Sequence, residues 1–225
     1  MNNNVIELKG VTKSFKKNNV KVLKNINFVF KKGKIYSLTG PSGSGKSTLL
    51  NILSMIDRPT RGNLFINRKK INFNNIEIND QIRARNIGII YQDSNLLSDF
   101  NALENIIISR LAIENNEKKA IFDAKKLLKK FKLLKRSSHF PNELSGGESQ
   151  RIAISRALIN SPDIIMADEP SGSLDNKNSK DVFKSLFQLK NKNRVIIFAT
   201  HNMYFAKMAD CKLELDNGII KSTNG

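Results

Sequence analysis

The chain's 225 residues suffice to bury a substantial core in one domain, and 40% hydrophobic with 26% charged residues is ordinary for a globular protein. No apolar run nears the roughly 20 residues that cross a bilayer, MNNNVIELKG lacks the apolar stretch of a secretory signal, and the single Cys211 excludes an internal disulfide; a soluble, intracellular protein is expected. The formal charge of +18 raises a nucleic-acid or anionic-membrane partner, but Lys, Asn and Ile are abundant throughout and no basic block stands apart, so biased composition accounts for it.

In chain order, VIELKGVTKSF and VLKNINFVF alternate as strands, with a turn at residues 17–19 between them. KIYSLTG is a short apolar strand ending in glycine, and SGKSTLLNILSMI is a helix. DRPTRGN, with Pro59 and Gly62, turns the chain into the strand LFIN, and NIGIIYQ is another strand. From about Asp93 the pattern becomes helical. Residues 117–135 place Ile121, Ala124, Leu128, Phe131 and Leu134 at helical spacing, which makes this a packed helix with a solvated lysine face. Residues 145–160 form the next helix, closed by Ser161-Pro162. DIIMADEP returns to an apolar strand, residues 181–190 are helical, and RVIIFATH is a buried strand. KLELDNGIIKS is a hairpin around Asn217-Gly218. The expected architecture is an α/β core, residues 1–93 and 159–225, interrupted by a helical insertion over 94–158.

GPSGSGKST, residues 40–48, fits G-x-x-x-x-G-K-[ST] with a strand before it and a helix after it. Gly40, Pro41, Ser42, Gly43, Ser44 and Gly45 supply a nest of backbone N–H groups, to which the helix adds partial positive charge. Lys46 brings a full charge to the β- and γ-phosphates of a nucleotide, Ser47 offers a hydroxyl to Mg²⁺, and Thr48 caps the cradle near the α-phosphate. IIMADE, residues 164–169, delivers two carboxylates at the end of an apolar strand, the edge where open α/β sheets bind ligands. Asp168 would hold Mg²⁺ through water, and Glu169 would accept the proton of an attacking water. His201, closing RVIIFATH, is placed to contact the γ-phosphate; Gln92, closing NIGIIYQ, could touch Mg²⁺ or the lytic water. A second glycine-rich helix start, NELSGGESQR at 142–151, has no evident use beside so complete a phosphate cradle.

With these parts in this order, the chain resembles the ATP-binding subunits of ABC transporters along essentially its whole length. The resemblance implies a P-loop NTPase core of the ABC ATPase type, with an N-terminal antiparallel β subdomain and an inserted helical subdomain, that hydrolyses ATP with Mg²⁺. LSGGE at 144–148 looks like the family signature, SGSLD at 171–175 like the loop after the acidic strand, ending at Asp175, and Phe15 aligns with the aromatic residue that stacks on adenine. In this family two ATPase domains meet head to tail. The resemblance therefore implies a homodimer in which Ser145, Gly146, Gly147 and Glu148 face the nucleotide held by the other copy's phosphate loop. Phe15 stands where tyrosine is commoner, Glu148 where glutamine is usual, and Asn202 where aspartate is frequent. Glu148 would add negative charge near that nucleotide or accept a ribose hydroxyl.

Within the family, IYQDSNLLSDFNALENI, the stretch PNELSGGESQRIAISRALIN and the terminal LELDNGIIK are most similar to the ATPases of lipoprotein-releasing systems. That implies integral membrane permease subunits as partners, docked on the region after Gln92, and a peripheral position on the cytoplasmic face of the bacterial inner membrane. Macrolide-export and cell-division ATPases are the close alternatives. ABC ATPases acting on nucleic acid or the ribosome are a further class, but they carry two ATPase domains or a long coiled coil, whereas this chain has one domain and no sustained heptads, so no direct nucleic-acid contact is expected.

Overall fold

The computed structural model describes residues 4–15 and 20–223. Strands β1 (Asn4–Phe15) and β2 (Val20–Lys31) pair antiparallel; the turn expected at 17–19 lies outside the described residues. β3 (Ile35–Thr39) is buried at four of its five positions and leads through the glycine-rich loop into α1 (Lys46–Leu53). β4 (Arg61–Ile66) and β5 (Lys69–Lys70) form a hairpin whose turn residues, Asn67 and Arg68, have φ of 48° and 67°. Asn-Arg lacks the glycine that marks such a two-residue turn, so the sequence pattern ended at LFIN. α2 (Ile76–Asn86) is likewise absent from the sequence reading, because it has no apolar stripe and buries only Asn79.

β6 (Ile87–Ile90) precedes α3 (Ala102–Leu111), which starts with a capping box between Asn101 and Glu104. α4 (Glu117–Lys130) buries Ala124 and Leu128 as its spacing predicts, with Ala120 beside them, while Ile121, expected on the same face, is half-buried. It stops short of residue 135, however, because Lys132 turns left-handed at φ 61°, and Leu134, expected on the packed face, stands exposed. α5 (Gly146–Leu158) ends before Ser161, at φ 51°, and leads to β7 (Ile164–Asp168). α6 (Asn176–Phe187) begins five residues earlier than its apolar spacing suggested, since Asp175 caps its first turn. β8 (Val195–Ala199) is buried throughout, α7 (Met203–Ala206) is a single turn, and β9 (Cys211–Asp216) with β10 (Ile219–Thr223) makes the hairpin around Asn217-Gly218.

By internal packing the chain separates into two units, Met1–Asp80 with Lys190–Gly225, and Gln81–Leu189. The first holds the antiparallel order β2-β1-β4-β5 and the order β10-β9-β3-β8, in which β3 runs parallel to both β8 and β9. Phe30 of β2 meets Tyr36 of β3 edge-to-face at 5.0 Å, with Phe28 alongside, so an aromatic cluster joins these strands. The second unit pairs β6 parallel with β7 and packs α3, α4, α5 and α6 around Ile106, Leu128, Ile152 and Phe183. Fully buried Asn105 bonds the backbone of Leu97, Phe100 and Asn101, which pins the loop ahead of α3. Among the described residues no helix is long and apolar enough to cross a membrane.

Candidate functional site

In the first unit the loop from β3 to α1 is shaped by its glycines. A side chain at Gly40, φ 142°, would run into the Leu215 carbonyl, and one at Gly45, φ 104°, would meet Val22 Cγ1 at 2.8 Å. Gly43 has nothing within 4 Å, so the loop is tightly backed at both ends and open in the middle. Lys46 is only 6% exposed, and its ammonium donates to the carbonyls of Gly40 and Pro41 at 2.9 Å each, drawing the loop around one positive charge. Among the described residues the buried Ser44 hydroxyl has no hydrogen-bond partner. A buried polar atom left so in a folded protein needs an accounting, and a bound water, ion or ligand supplies one. Pro41, Ser42 and Ser47 are exposed and Thr48 half-buried. Amide nest, ammonium and orphan hydroxyl together fit an anionic polyphosphate.

His201 follows β8, where Thr200 N–H bonds the Leu38 carbonyl at 3.1 Å. Thr200 Oγ1 accepts from Asn202 N–H, and Asn202 Oδ1 accepts from Tyr204 N–H at 3.0 Å, so asparagine caps α7 as aspartate would. The exposed His201 lines a cavity of about 370 Å³ together with Thr39, Gly40 and Pro41, which brings it beside the start of the phosphate loop. Phe15, at the end of β1, is 45% exposed. Its neighbour Lys13 escaped the sequence reading: the ammonium lies 5.1 Å from the Phe15 ring centroid and pairs with Asp57 at 2.6 Å.

In the second unit, Ile90 pairs with Ala167, so Gln92 and Glu169 each lie two residues beyond the same register position. Asp168 ends β7 half-buried, and Glu169 adopts φ 44°, a left-handed conformation uncommon for a side chain of its size. The Glu169 carbonyl accepts from Gly172 N–H at 2.9 Å. A Cβ at Gly172 would come within 3.0 Å of the Gln92 amide, so Gln92 lies against this turn. Buried Gln150 ties α5 to the end of β6 by donating to the Tyr91 carbonyl at 2.8 Å, while Arg156 donates to Ser94 and Asn95. Neither residue stood out in the sequence, because only the fold sets them beside residues about 60 positions earlier.

Ser145 is the N-cap of α5, and Gly146 and Gly147 open the helix. These glycines also have a reason inside their own unit. A Cβ on Gly146 would lie 2.9 Å from Leu174 Cδ2, and one on Gly147 would lie 2.5 Å from Asn178 Oδ1. Asp175 caps α6 by accepting from the N–H groups of Lys177 and Asn178, and it also takes the Asn178 side-chain amide; the Asn178 N–H bond above all holds its carboxyl below the usual range. Glu148 makes bonds that the sequence did not announce. Its carboxylate is held within the chain, one oxygen accepting from Ser145 N–H and hydroxyl at 2.9 and 3.0 Å and the other from Arg136 Nε at 2.9 Å. The Ser145 N–H, followed by the Arg136 bond, lowers its pKa.

Ser47 hydroxyl, Asp168 carboxylate and Gln92 amide are all oxygen donors of the kind Mg²⁺ takes alongside phosphate oxygens and water. No group of three or more His, Cys, Asp or Glu is assembled as a metal cage among the described residues.

The family model described as ABC transporter matches residues 23–172. The lipoprotein-releasing system ATP-binding protein LolD of Rickettsia typhi is 44% identical over 98% of this chain and 99% of its own length. LolD of Bacteroides thetaiotaomicron is 41% identical over 96% and 99%. The dimeric structure of the ATP-binding cassette MJ0796 bound to ADP and Pi superposes with a TM-score of 0.89 at 34% identity, covering 97% of this chain and 98% of that one.

Proposed function

The chain belongs to the ABC transporter family and is an ABC ATPase, and on that premise we propose that it powers a lipoprotein-releasing complex as its ATP-binding subunit, peripheral to the cytoplasmic face of the bacterial inner membrane. The observation that carries this reading is similarity to LolD proteins from distant bacteria over nearly the full length of both chains. The second unit supports it: Leu97, Phe100 and Phe140 stand exposed, and a cavity of about 430 Å³ lined by Ser98, Phe140, Asn142 and Glu143 offers a seat for a helix of a membrane subunit.

Gly40–Thr48 would cradle the phosphates of ATP while Phe15 stacks on adenine. Ser47, Asp168 and Gln92 would hold Mg²⁺, which when bound offsets the charge of the β- and γ-phosphate oxygens. Glu169 takes the proton of the attacking water, Gln92 orients that water, and His201 steadies the γ-phosphate. Ser145, Gly146 and Gly147 present N–H groups and the α5 dipole to the nucleotide of a second copy, near the loop ending at Asp175. Loss of the γ-phosphate then loosens the two copies, a ligand-held switch that the helical subdomain, 94–158, would pass to the permease.

Purification of the tagged chain from membranes tests the assignment: a permease with a large periplasmic domain should accompany it. Leu97→Asp with Phe100→Asp should abolish that association and leave nucleotide binding by the chain intact. Recovery instead of a division-type partner with an extracytoplasmic loop controlling cell-wall hydrolases would overturn the lipoprotein reading.

A further inference from the structure

The Glu148 carboxylate sits in the first turn of α5, at the helix end that the proposed function sets against a phosphate. A helix N-terminus carries about half an elementary positive charge, so a full carboxylate there outweighs it and repels an incoming anion. The family's usual glutamine avoids this by being neutral. Here the carboxylate is kept and a counter-charge is built beside it. Arg136 Nε donates to Glu148 Oε1 at 2.9 Å, and Arg136 Nη1 lies 3.0 Å from His139 Nε2, which must accept because a guanidinium only donates.

The arginine is presented by a braced segment. It closes the short helical turn Leu134–Arg136, and its carbonyl accepts from His139 N–H at 3.0 Å. The carbonyls of Ser137 and His139 accept from Leu103 and Ala102 at the start of α3. Arg136 remains 44% exposed, so as a plain surface ion pair it would contribute little stability. Its position matters for potential instead.

From this geometry we infer that Arg136 is a positioning residue for hydrolysis: it holds Glu148 in the capping box of α5 and cancels its charge, so that the start of that helix stays attractive to the partner copy's nucleotide. The inference rests on the two-copy reading above. It predicts charge-specific rescue. Arg136→Ala should lower kcat of the full-length chain about tenfold while nucleotide binding to its own phosphate loop, read with a fluorescent ATP analogue, stays unchanged. Arg136→Ala combined with Glu148→Gln should recover to within about threefold of the unaltered chain, because a neutral amide needs no counter-charge. Arg136→Lys, which keeps the charge without the planar fork, should retain most activity and rules out simple loss of fold as the cause. An unaffected kcat in Arg136→Ala, or a double variant as impaired as the single one, overturns the inference alone. A Glu169→Gln chain that remains monomeric in Mg-ATP removes the two-copy reading, and this inference with it.

Discussion

Gly147 separates packing from function in a single side chain. Adding a methyl group there places Cβ 2.5 Å from Asn178 Oδ1 and 2.9 Å from Asn178 Cγ. Ordinary contact begins near 3.4 Å, so the Asn178 amide must retreat by about 0.9 Å and give up its hold on Asp175. Overpacking of this kind costs about 1–3 kcal/mol. Alanine in place of glycine within a helix returns about 0.8–1 kcal/mol, which leaves Gly147→Ala less stable by about 0–2 kcal/mol. In an Asn178→Ala background the two closest contacts are gone and only that residue's Cβ, at 3.3 Å, remains near, so the same substitution should stabilise by up to about 1 kcal/mol. Urea unfolding of the four proteins of the cycle should therefore give a coupling of about 1–3 kcal/mol. Coupling below about 0.5 kcal/mol, the level at which independent sites add, would refute the packing argument. Hydrolysis supplies the second readout: if Gly147 also leaves room for another copy's phosphates, the double variant regains stability and stays inactive.

Glu169→Gln should bind nucleotide normally, lose about 10²-fold or more in turnover, and accumulate as a two-copy species in Mg-ATP; brisk hydrolysis would remove Glu169 from the role of base. Ser44→Ala deletes a buried hydroxyl that bonds no other described residue, so its unfolding free energy should stay within about 0.5 kcal/mol while ATP affinity falls severalfold. A large loss of stability there would mean the hydroxyl serves the fold. Glu148 has its carboxyl lowered in the folded chain, first by the Ser145 N–H, so its stabilisation is complete above the unfolded value of about 4.3 and is lost as pH falls through the lower folded one. Denaturation midpoints taken down through that window should fall less steeply for Glu148→Gln, and parallel curves would contradict the assignment.

Residues 40–48 were legible because a phosphate loop is a local object: its glycines, lysine and hydroxyls act within one turn of the chain, between a strand and a helix that each announce themselves by periodicity. The same locality made the hairpin at Asn217-Gly218 readable. α2 and the β4–β5 turn were not, since neither carries the apolar stripe or glycine that short-range reading depends on. What the amino-acid order alone determined was the family and the reaction. Only tertiary structure decided which side chains meet: Lys13 with Asp57, Gln150 with Tyr91, Gly147 with Asn178, and above all Glu148 with Arg136. Each of these pairs joins positions a dozen to some sixty residues apart. Their partners are chosen by how strands and helices pack, and a local pattern cannot record which distant side chain will neutralise a charge or fill the space a glycine leaves open.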